Sequence, residues 1–261
     1  MRYALGVEYS GLAFCGFQSQ PSGCGVQDVL ERAIGEIAGH AIRVTAAGRT
    51  DAGVHAVSQV IHFETEAQRP DSAWIRGVNT HLPAAAAVLW ARLVSDDFHA
   101  RFAASARHYT YLLLARPERP ALLAGYAGWY HQPLDAGAMN VAAAQLLGTH
   151  DFSAFRAAEC QAKSPVKTLT KSIVTQQGPF VRFEFSANAF LHHMIRNIVG
   201  ALVYVGAGRQ KSSWPAELLA GQDRTRAAPT FAADGLYLAG ATYDARFELP
   251  PTVRAVTLAG A

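Results

Sequence analysis

Lysine is scarce in this chain. Lys163, Lys167, Lys171 and Lys211 are the only four, so 19 of its 23 basic residues are arginines. Cysteine is scarcer. Cys15, Cys24 and Cys160 form an odd set with no Cys-x-x-Cys or spaced His pair, which leaves no zinc ligand pattern. His192 and His193 are adjacent, so on a helix they point apart and do not readily share a metal. The reading is of incidental thiols in a reduced, cytoplasmic protein with no metal. Long apolar runs are also missing. The uncharged stretch from Asn197 to Gly208 is too short to span a bilayer, and Arg196 and Arg209 bracket it. The N-terminal residues, from Met1 to Tyr9, lack the apolar core of a signal peptide and read as a strand, so neither export nor membrane attachment is expected.

Charge is modest. A formal +3 and a pI near 8.8 fall short of a strong nucleic-acid signature. The arginine bias suits RNA, because a guanidinium can fork onto phosphate and stack on bases. A GC-rich genome favours arginine codons equally well, so composition alone decides nothing. Half of the residues are hydrophobic, which describes a folded chain, and 261 residues suffice for one large domain or two small ones.

The periodicities give an order of elements. Arg2 to Tyr9 predicts a strand, followed by a Gly/Ser/Pro-rich loop through Gly25. Val26, Val29, Leu30, Ala33, Ile34 and Ile37 then fall at helical spacing up to Gly39. Ile42–Ala46 and Val57–Thr65 predict strands, a helix capped by Asp71 or Ser72 runs to His81, and Ala87–Val94 is a strand. That order is β-α-β-β-α-β, the split-βαβ unit. The second half repeats it: a strand over Ala106–Ala115, a helix from Asp135 to Leu147, and strands over Thr168–Gln176 and Phe180–Ala187 about a turn at Gln177-Gly178-Pro179. An apolar helix over Leu191–Val205, a short helix over Trp214–Ala220 and a strand over Leu236–Tyr243 follow.

The expected fold is therefore α+β, with two tandem ferredoxin-like units over residues 1–100 and 101–261. Their sheets would lie side by side, with helices behind and a cleft between the halves. Adjacent strand pairs without an intervening helix argue against a doubly wound alternative.

Chemistry concentrates in Gly48-Arg49-Thr50-Asp51-Ala52-Gly53-Val54-His55-Ala56, a loop between two predicted strands. Read alone, it could be a surface turn in which Thr50 and Asp51 satisfy local amides. Those nine residues resemble throughout the signature of the TruA family of tRNA pseudouridine synthases. Further similar blocks follow in family order. They are Phe14-Cys15-Gly16-Phe17-Gln18, and Phe98-His99-Ala100-Arg101-Phe102 with Arg107, Tyr109 and Tyr111. After them come Gly148-x-His150-Asp151-Phe152-Ser153-x-Phe155, then Phe190-Leu191-His192-His193-Met194-Ile195-Arg196-Asn197, then Gly235-Leu236-Tyr237-Leu238. Phe17 stands where many relatives carry Trp, and nothing after Tyr243 matches.

The resemblance implies an isomerase that converts uridine to pseudouridine in the anticodon stem-loop of tRNA, in a fold whose cleft binds RNA. It implies a homodimer and no cofactor, since the reaction neither gains nor loses atoms. It assigns Asp51 as nucleophile, a fitting role for a carboxylate at a developing oxocarbenium centre. Arg196 becomes the cation paired with that carboxylate; the competing reading is a snorkelling surface charge. Tyr109 becomes the pocket tyrosine that stacks on uracil, against ordinary core packing, which is the reading kept for Tyr111. Arg49 becomes the arginine that enters the RNA where the base leaves. Arg101 and Arg107 join Arg49 and Tyr109 as substrate-binding residues. Further basic residues cluster at His108, Arg116 and Arg119, and at Arg156, Lys163, Lys167 and Lys171, either as a phosphate track or as a solvated face. His55 is given no chemistry, and Asp151 reads as a cap. The rivals are a non-catalytic RNA-binding module on the same fold, and a ferredoxin-like small-molecule or metal-binding protein, which lacks a ligand cluster.

Overall fold

Arg2–Tyr9 forms strand β1, and its Ala4, Leu5 and Val7 are wholly buried. A strand covered on both faces belongs inside a sheet, and β1 lies there, antiparallel to β3 (His55–Glu64) on one side and β4 (Ala86–Val94) on the other. The computed structural model describes residues 1–257. They divide into two compact units, one of Met1–Arg107 with Tyr237–Val256, the other built on His108–Leu236.

In the first unit, helix α1 (Val26–Ala38) follows the expected spacing, burying Val26, Leu30, Ala33 and Ile34. Asp28 Oδ2 accepts the Gly25 N–H at 2.9 Å, and the helix stops at Gly39, whose φ of 77° is left-handed. The strand expected over 42–46 shrinks to β2 (Thr45–Ala46), antiparallel to β3. The helix expected up to His81 becomes a π turn over Ala73–Gly77 continued by α2 (Val78–His81). Strand β10 (Leu236–Thr242) runs parallel to β3, with Tyr237 opposite His55 and Leu238 opposite Ala56. The order is β4-β1-β3, with β2 and β10 along the outer edge of β3.

A buried cluster in this unit gathers Ala4, Ala47, Val60, Val94, Phe98, Ala100, Ala241 and Phe247. Each large side chain there contributes about 1.5–3 kcal/mol by leaving water. The cluster thereby joins the N-terminal sheet to residues close to the chain's end.

In the second unit, β5 (Ala106–Ala115), α3 (Ala136–Ala144), the hairpin β8–β9 (Val166–Gln177 and Phe180–Ala187) and α4 (Met194–Gly206) keep the expected order. Asp135 caps α3 by accepting the Ala138 N–H at 2.9 Å. Gly178 turns the hairpin at φ 55°. Two short strands were not foreseen: β6 (Gly128–Tyr130), parallel to β5, and β7 (Gly148–Asp151), antiparallel to β8. Helix α5 (Trp214–Gly221) completes the unit. Helix α4 is buried almost all round, which explains its apolar sequence as core. No helix among the described residues is long and apolar enough to cross a membrane. The chain is thus α+β, with β-α-β-β-α-β order in the first half and the same order interrupted by β6, β7 and α5 in the second.

Candidate active site

The Gly48–Ala56 segment is held by groups buried beneath it. The Tyr9 hydroxyl, at the end of β1, lies 2.8 Å from Thr50 Oγ1, and the Thr50 carbonyl accepts the Phe17 N–H at 2.9 Å. Gln59 Nε2 donates to the Gly48 carbonyl at 2.7 Å, and the Ala47 N–H donates to Val60 at 2.8 Å. Burial pushes the Tyr9 phenol up to about 12, against the opposing pull of its hydrogen bonds to Thr50 and Gln59, so it stays protonated at neutral pH. The Asp51 carbonyl accepts the Val54 N–H at 3.1 Å across a turn that needs Gly53 at φ 80°. Asp51 itself is half-buried and Arg49 is exposed.

The aromatic-x-Gly-aromatic block supplies one wall of this support. Gly16 sits at φ 103°, where a Cβ would stand 3.0 Å from the Thr50 carbonyl oxygen and 3.3 Å from the Ala52 nitrogen. Only glycine lets the two backbones approach so closely. The same segment overturns the expectation of incidental thiols. Cys15 and Cys24 form a disulfide, with Cα atoms 5.4 Å apart and the Cys15 N–H donating to the Cys24 carbonyl at 3.0 Å. A separation of nine residues matches no ligand or redox motif. What brings the pair together is the folding back of the loop through Gly16 and Gly23, both at positive φ. Cys160 is a buried free thiol.

His55 is buried, accepts the Gly11 N–H at 3.1 Å and stacks on Tyr237 at 4.6 Å, a structural hydrogen-bonder as expected. Arg107 is half-buried. Its guanidinium donates to three main-chain carbonyls: Ala47 at 3.1 Å, Ala104 at 2.9 Å, and Arg101. It therefore joins the root of the Asp51 loop to the turn that carries Arg101. Sequence reasoning missed Tyr9 and Gln59. The signal was a lone amide in the strand-like run Val57-Ser58-Gln59-Val60-Ile61, where a buried polar group needs a partner.

In the second unit Tyr109 is half-buried on β5, its ring edge-on to Phe190 at 5.2 Å. Tyr111, two residues on, is wholly buried and its hydroxyl donates to Ala232 at 3.0 Å, as core packing requires. Arg196 lies in the first turn of α4, with Nε donating to the Phe231 carbonyl at 2.8 Å. His193, at φ 59°, precedes the helix, and its ring packs on that of His192 at 3.9 Å. Asn197 is buried. It donates to the Phe155 carbonyl at 2.8 Å and accepts from Thr230 Oγ1 at 2.7 Å and Arg224 at 3.1 Å. Two of the sequence blocks, 148–155 and 190–197, thus meet through one amide. Asp151 accepts the Ser153 N–H at 2.8 Å, the local cap expected of it.

The second basic stretch has local work. Arg156 donates to the Cys160 and Ala162 carbonyls, Lys167 to Ser164 and Val166, and Lys171 pairs with Glu184 at 3.2 Å. Of the three arginines expected to bind substrate, Arg49 and Arg101 are exposed and Arg107 is half-buried.

A family model described as tRNA pseudouridine synthase matches residues 6–103 and 142–244. The tRNA pseudouridine synthase A of Thiobacillus denitrificans is 60% identical over 250 residues, covering 96% of this chain and 96% of its own. That of Methylobacillus flagellatus is 59% identical over 254 residues, 97% of each chain, and that of Chromobacterium violaceum 60% identical over 259 residues, 99% of each. A solved structure titled "Crystal Structure of a Cbf5-Nop10-Gar1 Complex" aligns with 77% of this chain and 45% of its own at 12% identity and a TM-score of 0.33, too slight a likeness to carry any argument.

Proposed function

Because this chain belongs to the tRNA pseudouridine synthase family, we propose that Asp51 is the nucleophile with which it isomerises uridine in the anticodon stem-loop of tRNA. The enzyme is an isomerase, a tRNA pseudouridine synthase. The observation that carries the mechanistic reading is the support beneath Asp51. Thr50, Gly48 and Ala47 are each fixed by a buried partner, Tyr9, Gln59 and Val60, so the carboxylate stands on a rigid backbone rather than a loose surface turn. Pre-set geometry of that kind is what a nucleophile aimed at one carbon requires.

In this reading the bond from ribose C1′ to uracil N1 breaks as Asp51 engages the sugar. The freed uracil turns, C1′ leaves the carboxylate and bonds to C5, the C5 hydrogen passes to solvent, and N1 takes a proton in its place. Arg196 is the carboxylate's cation. Tyr109 stacks on the uracil, and its edge-on contact with Phe190 supports a fixed ring plane. Tyr109, Arg49, Arg101 and Arg107 form the substrate-binding set, Arg107 through the backbone it holds. Arg49 takes the place of the flipped base, offsetting part of an unstacking cost of a few kcal/mol. The residues 1–100 supply the catalytic loop and 101–261 the tyrosine and the cation. The family resemblance adds a homodimer working in the cytoplasm.

The test uses unmodified tRNA carrying tritium at uracil C5. The protein alone, without metal, nucleotide or reductant, is expected to release tritium catalytically. Tight tRNA binding with no release would instead favour the RNA-binding module.

Binding itself should depend on salt. With phosphate contacts from Arg49 and Arg101, affinity is expected to fall about three- to fourfold for each doubling of salt, as condensed counterions are released. A nearly flat titration would mean that the arginines do not engage the backbone.

A further inference from the structure

We propose that Phe102 is a stacking platform for a base of the RNA substrate, tied to the root of the Asp51 loop by Arg107. Phe102 is 76% exposed, the most exposed aromatic ring among the described residues. An exposed Phe usually ends a mobile loop, yet this one sits on a closed turn. The Ala103 N–H donates to the His99 carbonyl at 2.9 Å, and the N–H groups of Arg101 and Phe102 both donate to His99 Nδ1 at 3.2 Å. The Ala100 N–H donates to His62 Nδ1 at 3.2 Å, and burial holds both imidazoles below their usual range, so each stays an acceptor at neutral pH. The His99 ring packs on Phe102 at 4.3 Å between centroids. Arg107 then anchors the turn from below through the Arg101 and Ala104 carbonyls, while its donation to Ala47 fixes the same guanidinium to the catalytic loop.

Charge decides what covers the ring. The Arg101 guanidinium lies 5.7 Å from the Phe102 centroid and forms no hydrogen bond or ion pair among the described residues. Asp97, one of two carboxylates just before the turn, is paired with Arg246 at 3.0 Å. A ring 76% exposed, with a cation beside it that no hydrogen bond or ion pair engages among the described residues, matches a nucleotide, which offers a π face and a phosphate. An apolar protein partner would leave that cation buried without compensation.

The inference rests on tRNA being the substrate, so tRNA affinity and tritium release are measured together. The proteins are wild type, Phe102→Ala, Phe102→Leu and Phe102→Trp, each checked by thermal melting. Loss of one base–aromatic stack is expected to weaken tRNA binding about tenfold in the Ala and Leu variants. The loss should fall on Kd and KM rather than kcat. Phe102→Trp should restore affinity, with added emission that tRNA quenches. Wild-type affinity in Phe102→Ala would overturn the platform. So would full rescue by Leu, which keeps area without a π face, or a shift of Phe102→Ala to a smaller species in sedimentation, which would make the ring a contact between copies. Failure of the wild type to release tritium would take down the catalytic reading and the platform together; normal release with unchanged Phe102→Ala affinity would remove the platform alone.

Discussion

Asp51→Asn is expected to fold, to bind unmodified tRNA as tightly as the wild type, and to release no tritium. Asparagine keeps the shape of the side chain and removes its charge. The turn beneath it is unaffected, because the Val54 N–H bonds to the main-chain carbonyl of residue 51 and the left-handed position is Gly53. The loop's anchors, Tyr9 on Thr50 and Gln59 on Gly48, also lie outside the substitution. What disappears is the anion proposed to engage C1′, and removal of a nucleophile commonly costs on the order of ten-thousand-fold or more in kcat. Turnover within tenfold of wild type would remove Asp51 from the mechanism. Lost tRNA binding with a lowered melting temperature would show that the charge serves the loop instead.

Arg196→Met should be the next most damaging change, with tritium release reduced on the order of a hundredfold, as when one oriented electrostatic partner leaves an active site. Methionine preserves an apolar stem on a helix whose neighbours Met194, Ile195 and Ile198 are buried. It does sacrifice the Nε donation to the Phe231 carbonyl, so a structural cost must be separated from a chemical one. Arg196→Lys makes the separation. It restores a cation without the fork, and it is expected to recover part of kcat while melting no higher than the Met variant. Equal, near-wild-type turnover in both variants would reduce Arg196 to a residue that pins Phe231.

Helices and strands of strong periodicity were legible in the residues. β1, β5 and β9 fall where alternation and apolar runs predicted them, and α1 ends at the glycine expected to stop it. Short pieces escaped. β6 and β7 have three and four residues, too few for any period to register, and they exist because a neighbouring strand offers them an edge. At the site, the Asp51 loop was legible as a motif, but its support was not. Tyr9, Gly16, Gln59 and Arg107 lie up to 60 residues away in sequence from the groups they serve or crowd, and apart from the lone amide of Gln59 nothing local marks such residues. Arg107 illustrates the limit. As one of several arginines it reads as a phosphate ligand, whereas three carbonyls occupy its donors. The Cys15–Cys24 pair escaped for the same reason, since its closeness comes from the path of a glycine-bearing loop.

The return of the chain to its first sheet has a consequence for synthesis. The unit that carries Asp51 includes Tyr237–Val256, with Ala241 and Phe247 in the cluster that also buries Ala47, and the Thr252 carbonyl accepting Ser58 Oγ at 2.8 Å. A nascent chain at about 5–20 residues per second therefore waits roughly 10–40 s between making Asp51 and making the last strand that completes its support. During that interval the outer edge of β3 and the apolar side chains awaiting Ala241 and Phe247 stand open. They are an invitation to pair with another nascent chain or with a chaperone. The buried cluster of the first unit is therefore complete only once Ala241 and Phe247 have been made.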